Sequence, residues 1–226
     1  MKFITELHNK HLGKEIFIVG SGPSLDGYSD NFLDKKISFA LHLAYLKFPN
    51  TTYRYANEQD RIVWFKKHRP EYLDKVNIFA FPFYQKSERQ MNQLIDLEKP
   101  YFLILRPFPP ENIKIISQMV KDARNGKRID FGGHASCLHA CMYVAIMMGA
   151  NPINIIGCNH ESKNELEHFK LGNDNNQYRN KSTPYAIKGK IMIRGTELLI
   201  KACANNNITV NWFKNYEQTL HSSQKS

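Results

Sequence analysis

Short apolar segments that end in glycine-rich or polar turns constrain this fold most strongly. Residues 15–19, with the sequence EIFIV, run directly into the turn GSGPSL. A short apolar segment of this kind is typical of a strand that is buried on both faces, as in a parallel sheet. The pattern predicts an α/β protein with a mostly parallel sheet and helices on both faces. The expected strands are residues 15–19, 37–41, 52–56, 77–81, 101–105, 153–157 and 209–213.

The expected helices alternate with these strands. Glycine, proline and polar clusters separate the two kinds of segment, and neither a repeat nor a linker divides the chain. Residues 158–190 are polar and irregular and predict a long loop, which in a compact domain is usually functional. The expected helices are residues 61–68, 87–99, 110–124, 134–149 and 191–205.

A second glycine-rich turn, Gly132-Gly133-His134-Ala135-Ser136, precedes the most apolar helix. Glycine has no Cβ, so a backbone or a phosphate can approach closely. The start of a helix presents N–H groups without partners and a partial positive charge, which suits an anion. We expect the Ser136 hydroxyl and these N–H groups to point at one spot. The alternative is a plain turn that Ser136 caps.

The turn after the first strand has the same character. Gly20 and Gly22 let backbone amides face a ligand, Pro23 suits a first helical position, and Ser24 offers a hydroxyl. The segment is not a P-loop, because no GKS or GKT follows it. It is not the full GxGxxG dinucleotide fingerprint either.

Polar residues also follow the next two expected strands. In an open parallel sheet, ligands bind at the carboxyl ends of the strands. This rule places Ser21, His42 and Asn57 along one edge. Glu58 and Asp60 either bind a metal or a sugar hydroxyl, or simply begin the next helix.

The composition favours an anionic partner. The 226 residues include 31 basic and 21 acidic side chains, for a net charge of +10. Such a charge suits nucleotide phosphates, acidic sugars, nucleic acid or a membrane surface. No helix-turn-helix, zinc-finger or RNP-like motif supports nucleic acid. We expect no signal peptide and no membrane span, hence a cytoplasmic protein for which peripheral contact with the inner membrane stays open.

The four cysteines form no CxxC pair and predict reduced, mostly buried thiols. His134, Cys137 and Cys141 have a spacing of i, i+3 and i+7 on the expected helix. No second ligand pair stands at a suitable distance, so we predict no metal site. His139 is expected to be partly buried and hydrogen-bonded.

Three segments together resemble a known family. GSGPSL after the first strand resembles the opening of bacterial lipooligosaccharide sialyltransferases. It also resembles the related domains of motility accessory factors, thought to glycosylate flagellin, and of archaeal hydroxymethylpterin pyrophosphokinases. The segment GANPINIIGCNH after the central helix and the closing NNNITVNWF are similar to later parts of the same proteins. The similarity runs in order through residues 15–213.

The resemblance implies a single Rossmann-like domain, over residues 1–218, that binds a nucleotide-activated donor. Ser21 takes the position of a donor-contacting asparagine, and Asn57 falls near a second one. Ser136 and its preceding turn fall where the donor phosphate is held. Asn159 replaces a usual aspartate. The catalytic histidine of the sialyltransferases lies just before the last helix, where residues 185–190 contain no histidine.

The resulting hypothesis is a glycosyltransferase-like enzyme with a nucleotide-sugar donor, CMP-linked in the form we favour, and a glycan or other hydroxyl acceptor. A base must take the acceptor proton, and donors must stabilise the leaving phosphate. His160 or His168 is the expected base, since an ordinary histidine pKa near ~6.5 suits that role. Tyr178 or Tyr185 is expected to bond the phosphate from the loop. The full set of expected donor-site residues is Gly20, Ser21, Gly22, Pro23, Ser24, His42, Asn57, Gly133, Ser136, Asn159 and Tyr178.

Two alternatives remain open at this stage. A pyrophosphokinase or another phosphotransferase would need Mg²⁺ and ATP and would use Glu58 and Asp60. A nucleotide-binding module without catalysis would explain the missing histidine and the change to Asn159. The expectation that residues 219–226 form a disordered tail applies to all three.

Overall fold

The computed structural model of this chain describes residues 2–56, 67–68, 70–71, 76–81, 101–105, 112–127, 136–158 and 185–214. The expected helix over 87–99, most of the helix over 61–68 and the tail over 219–226 lie outside these residues. None of the helices within them is both long and apolar enough to cross a membrane.

Strands and helices alternate through the described residues, as the sequence predicts. Three short 3-10 helices, Ile4–Leu7, Pro23–Gly27 and His42–Leu46, supplement them. The strands are β1 (Lys2–Phe3), β2 (Ile16–Val19), β3 (Ser38–Leu41), β4 (Tyr53–Ala56), β5 (Val76–Phe81), β6 (Tyr101–Leu105), β7 (Ile153–Ile156) and β8 (Val210–Trp212). The helices are α1 (Ile113–Arg124), α2 (Cys137–Met147) and α3 (Tyr185–Ala204).

These strands form one eight-stranded sheet in the order β1-β6-β5-β4-β3-β2-β7-β8. Every pair is parallel, so the sheet is all-parallel where the sequence predicts a mostly parallel one. The chain moves outward from β2 to β6 and then returns to place β7 on the other side of β2. The order therefore reverses between β2 and β7, the topological switch point at which open α/β sheets bind ligands. The chain is an α/β protein with a Rossmann-like single domain.

The central strands explain the apolar segments of the sequence. β2, β3 and β7 are buried along their whole length. Fully burying an isoleucine side chain contributes about 1.5–3 kcal/mol, and β2 and β7 supply five of them. α2 contacts β2, β3 and β4 as well as α1 and α3. Residues 138–147 of this helix are all buried, as an apolar helix between a sheet and two other helices must be.

Helix ends differ most from the sequence-based expectation. α1 begins at Ile113 rather than at residue 110, because the Asn112 side chain caps it by accepting the Lys114 N–H at 2.9 Å. α3 begins at Tyr185, six residues earlier than expected, and passes through Gly189 and Gly195. A glycine inside a helix costs only about 1 kcal/mol, which contacts along the helix can offset. The two-residue strand β1 was too short to give a pattern.

Alanine at Gly157 tests how closely the turn after β2 lies against β7. Gly157 has a φ of +67°, and an added Cβ would stand 2.6 Å from the Gly20 carbonyl oxygen. Gly13 is the matched control, because its φ is +69° and an added Cβ meets nothing within 4 Å. We expect Gly13→Ala to lower the free energy of unfolding by about 1–2 kcal/mol, for the positive φ alone. Gly157→Ala should lower it by about 2–5 kcal/mol, since overpacking adds about 1–3 kcal/mol.

Denaturant titration of both variants and the wild type measures these losses. Equal losses in the two variants would contradict the close contact.

Candidate functional site

The turn after β2 is bound to the end of β7 through the backbone. The Gly20 N–H donates to the Ile156 carbonyl at 2.9 Å, and the Gly22 N–H donates to the Gly157 carbonyl at 2.8 Å. A Cβ on Gly22 would stand 2.7 Å from the Gly157 oxygen, and one on Gly20 would overlap the same oxygen and the Cys158 sulfur. The two glycines are therefore required by packing. Their amides serve the sheet, which corrects the expectation that both amides face a ligand.

The polar members of this turn remain partly accessible. Pro23 begins a 3-10 helix with Gly22 as its N-cap, so the expected helical start is a single short turn. Leu25 is fully buried and anchors it. Ser21 and Ser24 are half-buried, at the carboxyl end of β2. This is the position that the sequence predicts for their hydroxyl groups.

His42 occupies the corresponding place after β3. Its φ of +47° is unusual for a residue other than glycine and carries a strain of about 1–3 kcal/mol. Its ring Nε2 lies 2.8 Å from the Cys137 Sγ, and both side chains are half-buried. This contact brings the carboxyl end of β3 to the first residue of α2.

Ser136 is the N-cap of α2. Its side chain accepts the His139 N–H at 3.3 Å, and its carbonyl accepts the Ala140 N–H. The helix therefore begins at Cys137 and not at residue 134, because a capping serine has extended rather than helical backbone angles. The amides of Cys137 and Leu138 precede the first intrahelical bond, so they belong to the donors that a helix start offers to an anion.

A buried network holds this helix start against α3. His139 is 2% exposed, and its Nε2 lies 2.9 Å from the Thr196 hydroxyl. That hydroxyl donates to the Met192 carbonyl at 2.8 Å, so it accepts from the imidazole. The geometry assigns the proton of the neutral ring to Nε2. The predicted hydrogen bonding of His139 is confirmed, and its burial is more complete than the sequence predicted. No sequence pattern pointed to Thr196.

Three of the four thiols are buried in the interior. They are Cys141, Cys158 and Cys203, and none of the four cysteines forms a disulfide. Burial raises the pKa of Cys158 and of Cys203 to about 12, and burial also raises that of Cys141. The prediction of mostly buried thiols is confirmed. Among the described residues, no group of three or more acidic, histidine or cysteine side chains is arranged to hold a metal ion.

The expected residues within the described part of the chain lie at one edge of the sheet. β2 stands between β3 and β7, so the turn over residues 20–24, His42 and Ser136 surround the carboxyl ends of these three strands. Tyr185 is the first residue of α3 and not part of a loop, which corrects the expected loop end near residue 188. Six expected residues lie outside the described residues: Asn57, Gly133, Asn159, His160, His168 and Tyr178.

Cys137 is the residue of this region that the sequence analysis misjudged. The sequence predicts a thiol whose spacing from His134 and Cys141 could suit a metal, whereas in the structure its partner is His42. The available signal was its place directly after a capping serine, at a helix start.

A surface groove of about 380 Å³ lies elsewhere, between α1 and the residues after α3. Lys114, Lys121, Asn205 and Asn206 are among its lining residues. The two asparagines precede β8, so the groove faces the amino ends of the strands. It is separate from the edge that carries the expected site.

Comparisons with known proteins agree with the fold. No protein-family model matches the chain, and no curated protein sequence matches it. Among solved structures, it is similar to the crystal structure of the monofunctional alpha-2,3-sialyltransferase Cst-I from Campylobacter jejuni. The TM-score is 0.54 at 14% sequence identity, over 88% of this chain and 75% of that chain. At this identity the likeness shows the fold, and the chain thus has a sialyltransferase-like fold.

Proposed function

We propose that this chain is a glycosyltransferase-like enzyme. It transfers a sugar from a nucleotide-activated donor, linked to CMP, to a hydroxyl group of a glycan or another acceptor. One observation carries the proposal: the Gly20 turn, His42 and the start of α2 meet at the switch point of an all-parallel sheet. A fold shared with a sialyltransferase is the independent support.

The start of α2 is the place we assign to the donor phosphate. The amides of Cys137 and Leu138 and the positive end of the helix dipole favour an anion there. Ser136 is 6% exposed and uses its oxygen to accept the His139 N–H, which leaves its hydroxyl proton for an acceptor such as a phosphate oxygen. The same donors would stabilise the negative charge that develops on the leaving CMP.

The hydroxyls of the β2 turn are the second part of the proposed donor site. Ser21 and Ser24 are half-buried at the neighbouring strand end, where a nucleotide spanning the switch point would pass. Asn57 directly follows β4 in the sequence, and we assign it to the same donor site. The net charge of +10 favours the approach of an anionic donor.

The proton of the acceptor hydroxyl goes to a histidine in this proposal. His160 comes two residues after Cys158 in the sequence, shortly after the end of β7. His168 lies further along the same segment, together with Tyr178, which we assign to the leaving phosphate. A base that takes the proton as the bond to the sugar forms contributes about 10²–10⁴-fold to the rate.

Thermal unfolding in the presence of nucleotides tests the donor class. We expect CMP at 100 times its Kd to add about 2.7 kcal/mol of apparent stability. For a chain of this length that corresponds to a shift in Tm of roughly 5–11 °C. CDP, UDP, GDP and ATP, each with and without Mg²⁺, are the comparison set. Stabilisation by ATP only with Mg²⁺ would replace the proposal by a phosphotransferase, and no response to any nucleotide would remove both.

Replacing Ser21 by alanine tests the turn. Loss of one hydrogen bond should weaken CMP binding by about 0.5–1.5 kcal/mol, which is roughly 2–13-fold in Kd. Ser117→Ala is the matched control, because Ser117 is also half-buried but lies on α1 at the groove. Titration calorimetry measures both. An unchanged Kd in Ser21→Ala, or an equal loss in the control, would exclude Ser21 from the site.

Single alanine variants at His160 and His168 test the base. The variant that removes it should lower kcat by about 10²–10⁴-fold, at an unchanged fold by circular dichroism. His68→Ala serves as control because His68 is exposed. Release of CMP from a CMP-linked sugar is the assay. Wild-type turnover in both variants would remove the assignment of a histidine base to this segment.

A further inference from the structure

Cys137 and His42 form a contact between a nucleophile and a base that the proposed transfer does not use. The Sγ and Nε2 atoms are 2.8 Å apart, and the two side chains come from different elements. A thiol within hydrogen-bond reach of an imidazole is the arrangement in which histidine activates cysteine. Cys137 is also the first residue of α2, where the helix dipole favours a negative sulfur.

The other thiols of the chain lack this environment. Cys141, Cys158 and Cys203 are all buried, and burial raises the pKa of each. After burial, a negative charge on the nearby Cys137 sulfur is a further cause that raises the pKa of Cys141 and of Cys158. Only Cys137 combines partial exposure with a base at hydrogen-bond distance.

His42 is held in place by its backbone. Its φ of +47° is a conformation that must be maintained by surrounding structure, and it sits between the buried β3 and a 3-10 helix. Such strain persists where the fold over-determines a residue, and it is concentrated at functional positions. The backbone that carries the imidazole is therefore held in one conformation by the fold.

We propose that Cys137 and His42 form a thiol–imidazole pair that makes Cys137 the site of fast covalent modification in this chain. The ligands are soft electrophiles, namely alkylating agents and peroxides. The Sγ proton moves to His42 Nε2, and the sulfur lone pair then forms the new bond. Iodoacetamide gives an S–C bond and releases iodide. Hydrogen peroxide gives an S–O bond as its O–O bond breaks. Sulfur is oxidised to sulfenic acid, and the peroxide is reduced to water with the His42 proton.

Cys137 and His42 lie at the proposed donor site, but their modification needs no donor and no acceptor. The test of this modification therefore fails or succeeds separately from the nucleotide experiments.

Alkylation of the folded full-length chain by iodoacetamide at pH 7 is the experiment, with peptide mass spectrometry resolving each cysteine. We expect Cys137 to react about fivefold or more faster than free glutathione. In this proposal Cys137 reacts as a thiolate, whereas the thiol of free glutathione is only a few per cent ionised at this pH. The lower intrinsic nucleophilicity of the Cys137 thiolate offsets part of this advantage. Cys141, Cys158 and Cys203 should stay unmodified until the chain unfolds.

His42→Asn removes the base while keeping the backbone, since asparagine accepts a positive φ. We expect it to slow alkylation of Cys137 about fivefold or more. His11→Asn is the matched control, because His11 is also half-buried and its Nε2 also has a close partner, the Tyr53 hydroxyl at 2.8 Å. The His11 N–H donates to the Met148 carbonyl, so His11 lies at the opposite end of α2 from Cys137. Its rate should equal that of the wild type.

Cys137→Ser provides a readout that does not require the His42 variant to fold, and it should abolish the fast phase. The proposal is overturned if Cys137 reacts no faster than glutathione. It is equally overturned if the fast phase survives Cys137→Ser, or if folded His42→Asn reacts like the wild type.

Discussion

The contact between the turn after β2 and the end of β7 is the constraint on which the candidate site depends. Two N–H groups of the turn extend the ladder of the parallel pair beyond the last strand residues. The approach is so close that none of Gly20, Gly22 and Gly157 has room for a Cβ. Because β2 and β7 flank the switch point, this contact sets the floor of the crevice between them.

That contact also decides which groups are left for an anion. The amides of Gly20 and Gly22, which resemble a phosphate-binding turn in sequence, donate to the Ile156 and Gly157 carbonyls instead. In the proposed donor site, the amides at the start of α2 take the phosphate-binding role. The helix behind it is buried on all sides, so its dipole acts in a poorly screened environment where its effect on charge is stronger.

The strands were predictable to within about a residue, for a clear physical reason. A strand buried on both faces is mostly apolar, and the residue that follows it at the sheet edge is small or polar. Ile16–Val19 follows this rule throughout, and Ile153–Ile156 follows it except at the buried Asn154, whose side chain donates to the Glu15 carboxylate. Helix ends were less accurate, since Asn112 and Ser136 decide them through single capping bonds. α3 was predicted to begin at residue 191 rather than at Tyr185, and the helix continues through Gly189 because packing overrides the low helix propensity of glycine.

The sequence by itself determined the α/β class, the apolar strands and the edge at which Ser21, His42 and Ser136 lie, because these follow from local pattern and from the geometry of parallel sheets. The tertiary structure alone decided that Gly20 and Gly22 bind β7, that His139 meets Thr196, and that His42 meets Cys137 across 95 residues of chain. Such pairings depend on how two distant segments are brought together, and no periodicity along the chain records the distance between them.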